Sequence, residues 1–552
     1  MRRALIVVVV SAVAWGCGPK KPSASALEAA RLAREAAELK VLAESRTLQG
    51  CYDCLLEAKA AYAKLAVGAD RPQMLVRQFE TELLIALREK ELALNTDAAS
   101  SIARARALVP ELPPALQAER YIKVVEAVPP DATGLPLGAD VAFRRSKVQY
   151  VAGLDAEIVW LMGSAQQSET PATENVLARP VRQYLALSLD CSYFRRGRPP
   201  AQLPSAGLAP TPAVARQVVL DQIPKDAPAL VQYRVGICDT QRRAPLEAVR
   251  KEEPRYAEGA YFLARLDIAR ANETGAPAAR ALLAEAYGRF PTSPAVTYLG
   301  GNYNQLIGDC KEALKYYDET VAIEPLHDNA LLGRTICLAF LKRFDESIAS
   351  ATRMIAIPSA NLADAYYWRA WVRHYLKDLA QARADIDQAK KILSNNSIHR
   401  LAGIIEHDQD DLEIADKDLT TAKSMSDGQY DCVARWYLGL NDMKRERWVV
   451  SAAHFEDAMN CYERAALFAR DGLKKMQAAE NVDPDFKARQ IEGFEAAIKE
   501  DTAQQFASAF NAANHYARGG NVAKARTLLD VAAKDPVLES RVAELRKLLG
   551  GG

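Results

Sequence analysis

From about residue 228 to its end the chain places apolar residues with the 3.6-residue period of a helix. These Ala-rich stretches of 12 to 16 residues break near Pro, Gly or Asp-containing turns. No alternating apolar–polar run of the kind a half-buried strand needs competes with that period. The same period predicts helices in the first third, over 25–46, 51–67, 71–94, 98–109, 143–163 and 174–195. Two Pro-rich stretches, 110–136 and 199–228, punctuate this part. A Pro-rich linker over 196–227 is therefore expected to separate a helical N-terminal domain, 27–195, from the later helices.

The later helices repeat. Gly308-Asp309-Cys310-Lys311-Glu312-Ala313-Leu314-Lys315-Tyr316-Tyr317, followed by Ile323-Glu324-Pro325, sets a register that returns downstream. It recurs as Phe344, Ser347, Ala351 and Met354; as Leu379, Ala382, Ile386 and Ala389; as Leu412, Ala415, Leu419 and Ala422; and as Trp448, Ser451, Phe455 and Ala458. The small positions 313, 347, 382, 415 and 451 lie 34, 35, 33 and 36 residues apart. Small residue, aromatic four positions on, Pro at the exit and a 34-residue unit together resemble the tetratricopeptide repeat. The resemblance implies an all-α fold: a tetratricopeptide-type solenoid of helix hairpins, wound as a right-handed superhelix, with a helical N-terminal region. Small residues let paired helices approach closely, and each hairpin leaves an apolar face that only its neighbour covers. The solenoid is expected over 228–480, with a last repeat (Ala513, Tyr516, Ala525, Leu529, Ala532) and a capping helix in 481–552.

The chain's 552 residues include 49% hydrophobic ones, enough for a large core. Its 71 Lys and Arg against 70 Asp and Glu provide no global field for nucleic acid, and none is expected as a partner. At the start, Arg2 and Arg3 precede an apolar run over 4–14, the length of a secretory h-region and too short to span a bilayer. The residues Ala14-Trp15-Gly16-Cys17 then resemble the lipobox of bacterial lipoproteins, which implies a signal peptide over 1–16, a lipid on Cys17 and a tether over 17–26. Cleavage after Ala14 is the competing reading. With Cys17 assigned to lipid, eight cysteines remain, and spacing suggests the disulfides Cys51 with Cys54, Cys191 with Cys238, Cys310 with Cys337, and Cys432 with Cys461. The repeat register supports the last two, since it puts each pair at one end of the stack. Cys51 and Cys54 could also be a redox pair, although no strand leads into them.

Candidate chemistry is sparse. The six His fall at 327 and beyond, and no phosphate loop, nucleophile elbow or Ser/His/Asp arrangement occurs, so no catalysis, cofactor or metal is expected. The acidic run at 408–411 lacks the Gly and terminal Glu of a calcium loop, and His399 and His407 are not at a ligand-pair spacing. One constellation stands out. Tyr367, Trp371 and Tyr375 fall at i, i+4 and i+8 and form one stripe on a helix, at positions that in tetratricopeptide repeats face the concave groove; Trp436 takes the first of these positions two repeats later. The expected function is a cell-envelope scaffold, exported and lipid-anchored at the outer membrane facing the periplasm, which binds another envelope protein or peptide in that groove. A glycan-binding lipoprotein of the starch-utilisation type is the alternative.

Overall fold

The structure is a computed structural model, and it describes residues 23–128, 160–161, 177–194, 223–238, 243–269, 276–357, 361–425 and 431–550. The described regular elements are helical. The first group is α1 (Ala24–Gln49), α2 (Tyr52–Leu65), α3 (Arg71–Glu91), α4 (Asn95–Leu108), α5 (Ala118–Ala127) and α6 (Arg179–Phe194). Next come the hairpins α7 (Ala229–Cys238) with α8 (Ala244–Glu252), α9 (Ala257–Ala269) with α10 (Ala279–Arg289), and α11 (Pro294–Leu306) with α12 (Cys310–Ile323). They continue as α13 (Asp328–Phe340) with α14 (Phe344–Ile355), α15 (Leu362–Tyr375) with α16 (Leu379–Ile392), and α17 (Asn396–Asp408) with α18 (Leu412–Met425). The chain ends with α19 (Cys432–Lys444), α20 (Trp448–Ala478), α21 (Pro484–Arg518), α22 (Val522–Ala532) and α23 (Glu539–Leu548).

A single turn design generates the array. Each hairpin from α11/α12 to α21/α22 bends at a residue in the left-handed region: Gly308, Lys342, Lys377, Asp410, Glu446 and Gly520. The next residue then donates its N–H to a carbonyl five positions back, as Arg343 does to Leu338 and Asp378 to Arg373, both at 2.9 Å. This bond closes the first helix in a Schellman motif, and where Asp or Asn follows, its side chain caps the second helix, as Asp309 and Asn521 do. The small residues at 313, 347, 382, 415 and 451 are buried in these hairpins. Four of the turns place a residue with a Cβ where Gly is favoured. Lys377, with φ 62° and a side chain 74% exposed, gives up little but a loose approach to Asp408. Lys377→Gly should therefore raise stability by about 0.5–1 kcal/mol, read as a higher urea midpoint.

Successive first helices α11, α13, α15, α17 and α19 pack on one another directly, whereas successive second helices do not do so to a comparable extent. The first helices thus line the tighter, concave side of the stack.

Two further features concern how the elements pack. First, helices α6 and α7 pack together, and one apolar cluster of described residues runs from Ala43 to Ile307. Its centre is polar: Arg88, fully buried, bonds the Gly50 carbonyl at 2.9 Å and Glu91 at 3.0 Å, lies 3.5 Å from the centre of the Tyr233 ring, and faces Glu258 at 3.6 Å. Second, the chain around residue 480 forms the tip of a long hairpin. Helix α20 runs 31 residues and α21 runs 35, pairing in a long antiparallel hairpin in which Gly472 makes room for the Phe494 ring. The tip of this hairpin returns to the hairpins four and five repeats earlier. Tyr303 donates to Asp483 at 2.9 Å, Arg489 pairs with Asp309 at 2.9 Å, Arg280 pairs with Asp485 at 2.5 Å, and Phe486 is buried in the core there. The hairpin is a strap, and with the repeats from α11 to α19 it closes a circuit of packed helices.

The last repeat carries a pH-sensitive contact. His515 is buried between the Trp448 and Phe455 rings, with Nδ1 2.8 Å from the Ser451 hydroxyl. Burial, helped by the charge of Arg518, pushes its pKa from 6.5 down to about 4. Between these values the unfolded chain binds the extra proton, so stability is complete above pH 6.5 and is lost as the pH falls towards 4. By pH 5 the loss from this group should reach about 2 kcal/mol. Urea unfolding at pH 7 and pH 5 should show that difference shrinking in His515→Asn.

Candidate functional site

Tyr367, Trp371 and Tyr375 lie on α15, one of the helices of the concave side. Tyr367 and Trp371 are partly buried against the apolar cluster that includes Ala370, Ile386 and Leu401, while Tyr375, the last residue of the helix, is 52% exposed. Trp371 and Tyr375 are stacked, centroids 5.9 Å apart and planes 19° from parallel. The structure adds three rings that the sequence reading did not name. Trp368 touches Tyr367 at 5.5 Å and Trp371 at 5.9 Å; Phe340, 62% exposed at the end of α13, meets Trp368 at 5.8 Å; and Phe344, the first residue of α14, meets Tyr375 at 4.8 Å. These six rings form one connected belt from the middle of α15 to the turn end of two neighbouring hairpins. Trp368 was readable, because 368, 371 and 375 are spaced i, i+3 and i+7. Phe340 and Phe344 join only through the packing of the hairpins.

Trp436 is not part of the belt. It lies on α19, partly buried, with its ring 5.0 Å from Phe455 and packed against the core cluster of the last repeats.

Charges around the belt are held in place. Arg369 and Arg373 both pair with Asp385 at 2.6 Å, and His374 bonds Asp408 at 2.9 Å. Burial raises the pKa of the Tyr367 hydroxyl, which Arg400 partly offsets. The acidic run is dispersed: Asp408 faces His374, Asp410 pairs with Lys444 at 2.5 Å, and Asp411 with Arg383 at 3.4 Å. His399 bonds Asp418 and His407 bonds Asn441, so the two His serve separate contacts. Among the described residues no group of His, Cys, Asp and Glu could hold a metal ion.

The cysteines divide into kinds. Cys51 and Cys54 are bonded, S–S 2.05 Å, and fully buried, with Arg255 3.3 Å from the Cys54 sulfur. Cys432 and Cys461 are bonded, S–S 2.04 Å, closing the base of the α19/α20 hairpin. Cys310 and Cys337, expected as a disulfide, are not joined here, and both belong to one apolar cluster between α12 and α13. Cys17 lies outside the described residues, as do the side chains of Cys191 and Cys238, which fall within α6 and α7. The expected signal peptide, 1–16, is likewise outside them, and among the described residues no helix is long and apolar enough to cross a membrane.

No family model matches the chain, and no curated protein matches it. Solved structures with similar architecture include YrrB, described as a TPR protein with an unusual peptide-binding site, at 14% identity over 32% of this chain and 91% of that one, TM-score 0.29. The apo form of RapI matches at 12% identity over 57% of this chain and 98% of that one, TM-score 0.36. The APC/C hetero-tetramer Cut9-Hcn1 matches at 11% identity over 93% and 96%, TM-score 0.35. Independently of these likenesses, the repeated hairpins, their shared turn and the stacked first helices make the fold a tetratricopeptide-type solenoid.

Proposed function

We propose that this protein is an interaction scaffold of the bacterial cell envelope that binds a partner protein or peptide on the concave side of its solenoid. One observation supports the reading above others: six aromatic rings are joined on and beside α15, with Tyr375 and Phe340 more than half exposed although the core beneath them is closed. Rigid aromatics on a preformed surface supply contact area at low entropic cost, and a solenoid offers an extended face for a segment of chain. The export signal and Cys17 support placement as a lipoprotein at the outer membrane, facing the periplasm.

The near-parallel Trp371 and Tyr375 rings also favour a second reading, a platform for the apolar face of a sugar. Selection from a displayed peptide library, run beside a glycan array, separates the two. The scaffold reading expects peptides whose binding is lost with the belt, and binding confined to glycans would overturn it. Mass spectrometry of the mature chain tests the anchor: a lipid-modified N-terminal Cys17 is expected, and an unmodified start at Trp15 would refute it.

A further inference from the structure

The strap is tied down differently at its two ends. At its root Cys461 of α20 is bonded to Cys432 of α19, and beyond that bond α20 runs on to Ala478, about 25 Å of helix. The two helices of the strap pack on each other there: Ala466 and Ala469 are buried, and the Phe494 ring sits against Gly472. The tip also keeps its own shape, since Asp483 caps α21 and the Lys487 ammonium donates to the Gln477 and Ala479 carbonyls at 3.0 and 2.8 Å. None of these ties involves the hairpins on which the tip rests. The dock itself is slight. Phe486 buries its ring there and Tyr303 donates to Asp483, but the two ion pairs are open to water. The side chains of Arg280 and Asp485 are 53% and 54% exposed, those of Arg489 and Asp309 36% and 33%. Pairs so exposed hold weakly and are screened by salt. The strap is a stiff arm with a covalent root and a weakly held tip.

We propose that the strap is a gate: its tip leaves α10, α11 and α12 to admit a segment of the partner chain to the concave side, and then closes over it. The gate rests on the scaffold reading above. The place of the aromatic belt supports it. Five first helices, α11, α13, α15, α17 and α19, lead from the dock of the tip to the root of the strap, and α15 is the middle one. The belt on α15 therefore lies across the enclosed space from the strap. A circuit that stayed shut would take only a free chain end threaded through it. A swinging tip admits a segment from the middle of a partner chain as well. Its opening breaks only the dock, because the packing within the arm moves with the arm. Such a gate slows entry and escape together and leaves the affinity of the belt little changed.

The test locks the gate in the full chain. Cys310→Ser first removes the partly exposed thiol beside the dock. Arg280→Cys with Asp485→Cys then puts one thiol on each half of the dock, and a short bismaleimide joins them; the control is the same chain with both thiols capped by N-ethylmaleimide. The probe is a library-selected peptide whose association and release are timed. Locking should slow association at least about tenfold relative to the capped chain, and locking after the peptide has bound should slow its release by a similar factor. Rates in the locked chain equal to those of the capped chain would overturn the gate and leave the scaffold reading in place. Thiols that the bismaleimide does not join would also overturn it, because the dock would not be closed. A second variant needs no new thiol. Arg280→Glu with Arg489→Glu turns both cations of the dock against Asp485 and Asp309 at exposed positions, and should speed association and release together while affinity stays nearly constant. Rates unchanged by that double reversal would contradict the gate. If the unsubstituted chain selects no peptide, the scaffold reading falls and the gate with it.

Discussion

Arg88→Ala is expected to cost about 3–5 kcal/mol, the largest loss we anticipate for a single substitution. Arg88 is fully buried, yet its surroundings satisfy it: the Gly50 carbonyl takes two of its N–H groups, Glu91 takes a third, and the Tyr233 ring lies under the guanidinium. Removing it leaves carboxylates in the interior. Glu91 keeps Arg234, Tyr184 and Tyr233, but Glu258 loses the guanidinium that faces it and keeps only the Tyr52 N–H at 2.8 Å as a partner outside its own helix. Burial has already raised the Glu258 pKa to about 7, so the loss should fall chiefly on this residue. Because the cluster joins α3, α6, α7 and α9, the first third and the upstream repeats should lose protection against hydrogen exchange together. In a double-mutant cycle, Arg88→Met with Glu258→Gln should recover part of what Arg88→Met loses. A loss below about 1 kcal/mol for Arg88→Ala, or loss of protection confined to one side of 196–227, would contradict this account of the core.

Much of the repeat architecture was legible because its signals are local. A small residue every 33 to 36 positions announces hairpins whatever they pack against. The strap was hidden for the same reason. Helix α20 continues beyond Cys461 with an ordinary helical period, and that period is identical whether the next helix turns back after a few residues or runs antiparallel for thirty. Its docking rests on Asp483, Asp485 and Arg489 meeting residues some 180 to 205 positions away, which no window of sequence contains. The first third failed differently. Nothing local in the sequence marks Arg88, Glu91 and Glu258 as interior, and only the convergence of residues 50, 184, 233 and 256 makes them a core. At the candidate site, three aromatics on one helix were visible by spacing, whereas the rings of Phe340 and Phe344 belong to the belt through tertiary packing alone.

The second large effect concerns binding. Trp368→Ala with Tyr375→Ala should weaken the partner by at least about 3 kcal/mol, since both side chains present ring surface rather than fill the core. Trp371→Ala should weaken it too, but with some loss of stability, because its ring is partly buried against the core cluster beneath α15. Full burial would have made that loss about 3–5 kcal/mol, and partial burial sets it lower. Trp436→Ala offers the contrast: packed on Phe455 and apart from the belt, it should lower stability while leaving affinity in the folded chain nearly unchanged.

The most direct measurement is therefore the affinity of a library-selected peptide for the Trp368→Ala, Tyr375→Ala chain, taken on the same preparation as its melting temperature. A fall of more than a hundredfold in affinity, with melting close to that of the unsubstituted chain, is the predicted result. Unchanged affinity in a chain that melts normally would contradict the claim that this belt is the binding surface.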